Sequence, residues 1–166
     1  MRLLRMLFLL IVSAAAAPAI AGPFEDGNAA YQRGDYAKAL RLWRPLAENG
    51  NARAQWGLGA MYNFGWGVTQ DYAAAVSWYR KAADQGDAFA QSSLGFMYYE
   101  GRGLPQDYLQ AHMWLNLAAS RFDASEKEGR EQATKSRDIV AARMTPVQLA
   151  EAQRLASKWR PARRWW

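Results

Sequence analysis

The sequence predicts an all-α protein: a short α-solenoid of helix-turn-helix repeats closed by a C-terminal helical cap. Three observations predict it. The chain repeats itself at a period of 36 residues, and 17 of the 36 positions of 52–87 are identical in 88–123. Within each copy, apolar residues recur at helical spacing, as in Ala54, Leu58, Met61 and Tyr62. Turn formers and caps recur at the same interval: Asn51, Asp87 and Asp123; Gly65 and Gly101; Gly67 and Gly103; Asp71 and Asp107. Such self-similarity marks an array in which each unit buries its apolar face only against its neighbours.

The first element in the chain is an address. Arg2 and Arg5 precede an apolar run from Met6 to Ala17, and Ala19-Ile20-Ala21 supplies small residues before Gly22. This is the pattern of a secretory signal peptide over 1–21. Its core of 12 residues is short of the about 20 that a spanning helix needs. Cleavage before Gly22 leaves 145 residues with a formal net charge of +4. The protein is expected to be exported: periplasmic if the cell is Gram-negative, otherwise secreted.

The repeat domain is expected over 22–160. The first unit, 24–51, carries Gly27, Tyr31, Gly34-Asp35-Tyr36, Ala39-Leu40 and Ala47, with a shorter loop than its successors. In the second unit, 52–87, Ala54, Leu58, Met61 and Tyr62 form the core stripe of helix A, and Gly59 lets a neighbouring backbone approach. Gly65 ends that helix where positive φ is needed, Gly67 extends the turn and Asp71 caps helix B. Helix B turns Ala75, Trp78 and Ala82 to one face, and Gly86 stops it. The third unit, 88–123, repeats this with Leu94, Gly95, Tyr98, Ala111, Trp114 and Ala118.

After Asp123 the repeat decays. Arg130, Glu131 and Thr134 stand where Leu94, Gly95 and Tyr98 stood. A polar helix from about 124 to 144 is expected, with Ala133, Val140 and Met144 as a thin apolar stripe. Thr145-Pro146-Val147-Gln148 then reads as a helix start with a capping box. Leu149, Ala152, Leu155, Ala156 and Trp159 line one face of that helix. The stretch 124–160 is read as a degenerate cap with a polar outer side.

The pattern running from Ala52-Arg53-Ala54 through Gly65-x-Gly67, Asp71-Tyr72 and Trp78-Tyr79 to Ala82-Ala83 resembles the Sel1-like repeat, a relative of the tetratricopeptide repeat. The second copy departs mildly, with Leu104 for Val68 and Leu115 for Tyr79. The resemblance covers residues 25 to about 120, and 143–156 is similar to the closing segment of secreted bacterial members. It implies an α-solenoid that binds proteins or peptides, and implies no substrate or reaction.

Composition narrows the function further. The chain has no cysteine and one histidine, His112, which excludes a disulfide framework, a thiol nucleophile and a thiolate metal site. His112 aligns with Val76 beside the core face and has no ligand partners nearby in sequence. Gly65-x-Gly67 and Gly101-x-Gly103 lack the strand and lysine of a phosphate loop, and no Ser-x-x-Lys nucleophile is present. Some cysteine-rich members of the repeat family are linked to β-lactam binding or hydrolysis, but this chain lacks their paired cysteines. The expectation is a non-catalytic scaffold with no cofactor, no metal and no nucleic-acid partner.

A binding face is sought opposite the core stripe of helix A. Arg53, Trp56, Asn63 and Phe64 fall there in the second unit, and Phe89, Ser92, Phe96 and Tyr99 in the third. These positions differ between copies while the core positions agree. Two readings stay open: the aromatics anchor a protein or peptide partner, or they pack against the adjoining repeat. Charge is uneven as well, net −1 over 22–123 and +5 over 124–166. The tail 161–166 ends in Arg163, Arg164, Trp165 and Trp166, a composition suited to weak contact with an anionic membrane surface or to an acidic partner, or simply a solvated end.

Overall fold

The computed structural model describes residues 22–162. These form eight helices: α1 (Pro23–Gln32), α2 (Tyr36–Glu48), α3 (Ala52–Phe64), α4 (Tyr72–Asp84), α5 (Ala88–Glu100), α6 (Tyr108–Arg121), α7 (Lys127–Ala141) and α8 (Pro146–Lys158). The described residues contain no strand. The helices alternate as A and B members of stacked hairpins, α1–α2, α3–α4 and α5–α6, and each B helix also packs on the A helix that follows it. None of the described helices is long and apolar enough to cross a membrane.

The 36-residue punctuation does the work expected of it at most positions. The side chains of Asn51, Asp71, Asp87 and Asp107 each accept a hydrogen bond from a backbone N–H three residues on, at 2.8–3.0 Å. Asp35 does the same for α2. Gly65 and Gly101 close α3 and α5 in the left-handed region, at φ of 71° and 69°. Gln70 and Gln106 then reach back to the carbonyls of Asn63 and Tyr99 at 2.8 and 2.7 Å, satisfying acceptors that a helix end leaves open. Buried Gln55 and Gln91 donate to Ala47 O and Ala83 O, tying each helix A to the end of the preceding helix B.

Four sequence expectations are corrected. First, the buried row of helix B lies one residue beyond the repeated tryptophan: Trp43, Tyr79 and Leu115 are 3%, 2% and 0% exposed. Trp78 and Tyr62, placed in the core from sequence, are only half-buried. Secondly, Gly59 admits a ring, not a backbone; a Cβ there would lie 2.5 Å from Tyr79. Thirdly, Gly67 and Gly103 do more than extend a turn. Each lets its loop press on the start of the preceding helix B, at Tyr36 and at Tyr72. Trp66 stacks on Tyr36 there, and Arg102 lies over Tyr72.

The fourth correction is at the cap. Asp123 does not cap a helix. Phe122, 4% exposed, takes extended backbone at φ −58° and ψ 132° and tucks under Gly129, so α7 begins only at Lys127. It also ends at Ala141, leaving Met144 in the connection, packed beside buried Val140. The capping box of Thr145 and Gln148 forms as expected. However, α8 packs mainly on α6, not on α7 as a hairpin partner would. Ala156 joins the main core, Trp159 meets Trp114 edge-on at 6.2 Å, and Ala162 N–H donates to Asp84 O at 2.7 Å.

Candidate functional site

The A helices leave a groove of about 270 Å³ between α3 and α5. Trp56, Ala60, Asn63 and Phe64 recur at i, i+4, i+7 and i+8, so they share the α3 face that looks into it. Ser93, Phe96, Met97 and Glu100 supply the α5 wall, Tyr31 closes one end from α1, and buried Tyr79 forms part of the floor. Ala60 is small, which keeps the space between the Trp56 and Phe64 rings open. Phe64, 53% exposed, stacks on Trp66 at 4.4 Å.

Polar groups are few and fixed. Ser93 Oγ accepts from Trp56 Nε1 at 3.2 Å and donates to Phe89 O at 2.9 Å. Burial pushes the Tyr79 phenol well above its usual range, and its hydrogen bond with Ser93 offsets only part of that. Glu100 and Arg102 pair at 3.1 Å on the rim. Asn63 Oδ1 is buried and has no hydrogen-bond partner. An unsatisfied buried acceptor costs about 1–3 kcal/mol, so a donor brought to this position would recover it.

Trp56, Asn63, Phe64 and Phe96 of the sequence-derived set meet in this groove. The others do not. Arg53 turns away to bridge Asp87 at 3.1 Å and Glu126 at 2.9 Å, joining two hairpins and the cap at their ends. Burial raises the Asp87 carboxyl pKa even against its N-cap bond and the Arg53 charge. Phe89 packs between Trp56 and Phe122, at 5.2 and 4.9 Å. Trp56 therefore serves both readings, with one side on Phe89 and another on the groove. Ser92 is displaced by its neighbour Ser93. Tyr99 faces the next interval, where it lines a smaller apolar pocket of about 120 Å³ with Phe96, Leu115, Ser136, Ile139 and Val140. Arg163, Arg164, Trp165 and Trp166 lie outside the described residues.

Sequence reasoning missed Tyr31, Tyr79, Ser93 and Met97. The signal for Ser93 was present: glycine stands at 57, and the third unit's serine replaces it beside the shrinking Trp43, Tyr79, Leu115 row. Among the described residues, no cluster of His, Asp and Glu is placed to hold a metal ion. Rigid aromatics, an apolar floor and a single unsatisfied carboxamide suit the site to holding a chain segment.

The comparisons with known proteins agree with this architecture. The profile of the Sel1 repeat matches residues 24–51, 52–87 and 88–121. The crystal structure of a protective antigen present in uropathogenic Escherichia coli strains, displaying an SLR fold, is similar at a TM-score of 0.74 and 31% identity over 82% of this chain. This chain spans only 29% of the antigen's length. A Sel1 repeat protein from Oxalobacter formigenes is similar at a TM-score of 0.54 and 36% identity, covering 66% of this chain and 86% of its own. No curated protein matches the chain. With three contiguous repeats covering more than half of its length, the chain belongs to the Sel1 repeat family.

Proposed function

We propose that this protein is an exported, non-catalytic interaction scaffold that holds an extended segment of a partner protein in the α3–α5 groove. Sel1 repeat proteins are typically protein-interaction scaffolds, and the export reading rests on the signal-like composition of residues 1–21. The observation that carries the groove assignment is Asn63, whose buried Oδ1 has no partner and which lines the groove with Trp56 and Phe64. A backbone N–H of a bound segment is the donor that fits it. Aromatic side chains beside it anchor such a segment at small entropic cost.

A photoreactive amino acid placed at Phe64, in cells expressing the full chain, tests the assignment. The same probe at Val147, 79% exposed on α8, serves as the comparison. Crosslinks to a partner from position 64 and not from 147, abolished by Asn63→Leu with an unchanged melt, are the expected outcome. Crosslinks from 147 alone would move the binding face to the cap.

A further inference from the structure

A second cleft opens where the array gives way to its cap. It has a volume of about 310 Å³ and is lined by His112 and Asn116 of α6, Arg137, Asp138 and Ala141 of α7, and Leu149 and Gln153 of α8. One of its polar residues has no polar counterpart in the preceding repeat. The position of His112 is held there by Val76, 9% exposed, which shows that the scaffold is satisfied by an aliphatic side chain. His112 is 3% exposed, and its Nδ1 is buried without a hydrogen-bond partner. A buried N–H without an acceptor is rarer than a bare acceptor, so the neutral ring carries its proton on Nε2. That donor is left for the cleft.

Arg137 faces the same space. Its Nη1 donates to Asn116 Oδ1 at 3.3 Å, which holds the guanidinium toward α6. Its other bonds go to Asp138, its neighbour in sequence, through Nε at 3.0 Å and Nη2 at 2.8 Å, both to a single oxygen, Oδ1. Consecutive helical residues do not face each other, and Asp138 is 62% exposed. The pair is a weak surface contact, not the two-oxygen fork that a guanidinium prefers. An incoming carboxylate can take the Arg137 face that Asp138 now occupies, with exposed Asp138 turning out to solvent, where its remaining charge is screened. Facing the ring from α6 is neutral Asn116, from α7 Arg137 and Asp138, and from α8 neutral Leu149 and Gln153.

We propose that this cleft binds a carboxylate, of a small organic acid or of a peptide C terminus, between the His112 Nε2–H and the Arg137 guanidinium. Burial and the Arg137 charge hold the His112 pKa below its ordinary value. An anion bound beside the ring favours its protonated form, so binding raises that pKa and tightens as pH falls.

The single histidine makes the test direct, since untagged protein gives one set of imidazole NMR signals. Acetate, trialanine and C-terminally amidated trialanine are titrated at about pH 5.5 and about pH 7.5, either side of the ordinary histidine pKa. Saturable His112 shifts with acetate or trialanine, tighter at the lower pH and absent with the amide, support the proposal. Response to trialanine alone identifies a peptide terminus, and an equal response to acetate a small acid. Arg137→Gln should abolish the shifts, while Asp138→Asn, on an exposed position, should bind several-fold more tightly. Absence of saturable shifts, an equal response to the amide, or no gain in Asp138→Asn would overturn it.

Discussion

The second and third repeats share a sequence frame but not a packing environment. Trp78 and Trp114 occupy the same position, yet Trp78 is half-buried with Lys81 4.3 Å over its ring, and Trp114 is 3% exposed. The difference lies outside the repeat. Helix α8 lays Trp159 against Trp114, and Arg121 covers Trp159 at 4.4 Å. At the end of α4 the contact is smaller, with Ala162 N–H donating to Asp84 O at 2.7 Å. Identical residues thus acquire different energetic weight according to what the array places beside them, and repeat identity reports the backbone frame more faithfully than burial.

Truncating the two tryptophans is the sharpest way to break this comparison. Trp114→Ala should lower the unfolding free energy by about 3–5 kcal/mol. Trp78→Ala, losing a half-buried ring, should cost about 1–2 kcal/mol. Urea unfolding of both variants measures the gap. Equal losses would show that α8 contributes little to the third repeat.

The glycines sharpen it next. Gly103 and Gly34 both have positive φ, 72° and 79°. A Cβ at Gly103 would run into the Tyr72 backbone, whereas nothing lies within 4 Å at Gly34. Gly34→Ala should carry only the left-handed strain, about 1–2 kcal/mol. Gly103→Ala should add an overpacking term of about 1–3 kcal/mol, because backbone cannot swing aside as a side chain does. Thermal melts of the two variants side by side provide the check.

The smallest expected effect is pH-dependent and sits at Val76 versus His112. Burial holds the folded His112 pKa below its ordinary 6.5. The unfolded chain therefore takes up more protons as pH falls. Its contribution is fully present above 6.5 and is lost as pH drops through the folded pKa. His112→Val, which copies the second repeat, should flatten the stability profile just below 6.5. Chemical denaturation across a pH series reads this, and an unchanged slope would show that His112 does not set the acid loss.

The repeats were legible because period, caps and glycines each pointed to the same hairpin. The buried row of helix B was not, since Trp43, Tyr79 and Leu115 share burial but no identity. A repeated tryptophan draws attention by its size, while solvent exclusion depends on which way the helix is rolled. The cap was half legible. Thr145 and Gln148 announce α8 locally, but nothing local tells that Phe122 delays α7 or that α8 returns to α6. The groove was found through residues that vary between copies, and its edges were misjudged where a side chain prefers a neighbouring repeat, as Arg53 and Phe89 do.

The stacking of Trp66 on Tyr36 and of Arg102 over Tyr72 has a less direct third counterpart, where the α7–α8 connection lays Arg143 over Tyr99, whose ring in turn meets Tyr108. Each clasp reaches backward in the chain, so every tyrosine that opens a helix B waits for a loop made later. During synthesis a hairpin leaving the ribosome would stay unfastened until its successor emerges, and only Arg143, supplied from outside the repeats, ends the series. Ordering in such a chain is therefore directional: a truncation before Arg143 leaves the last clasp undone, while the earlier two remain closed.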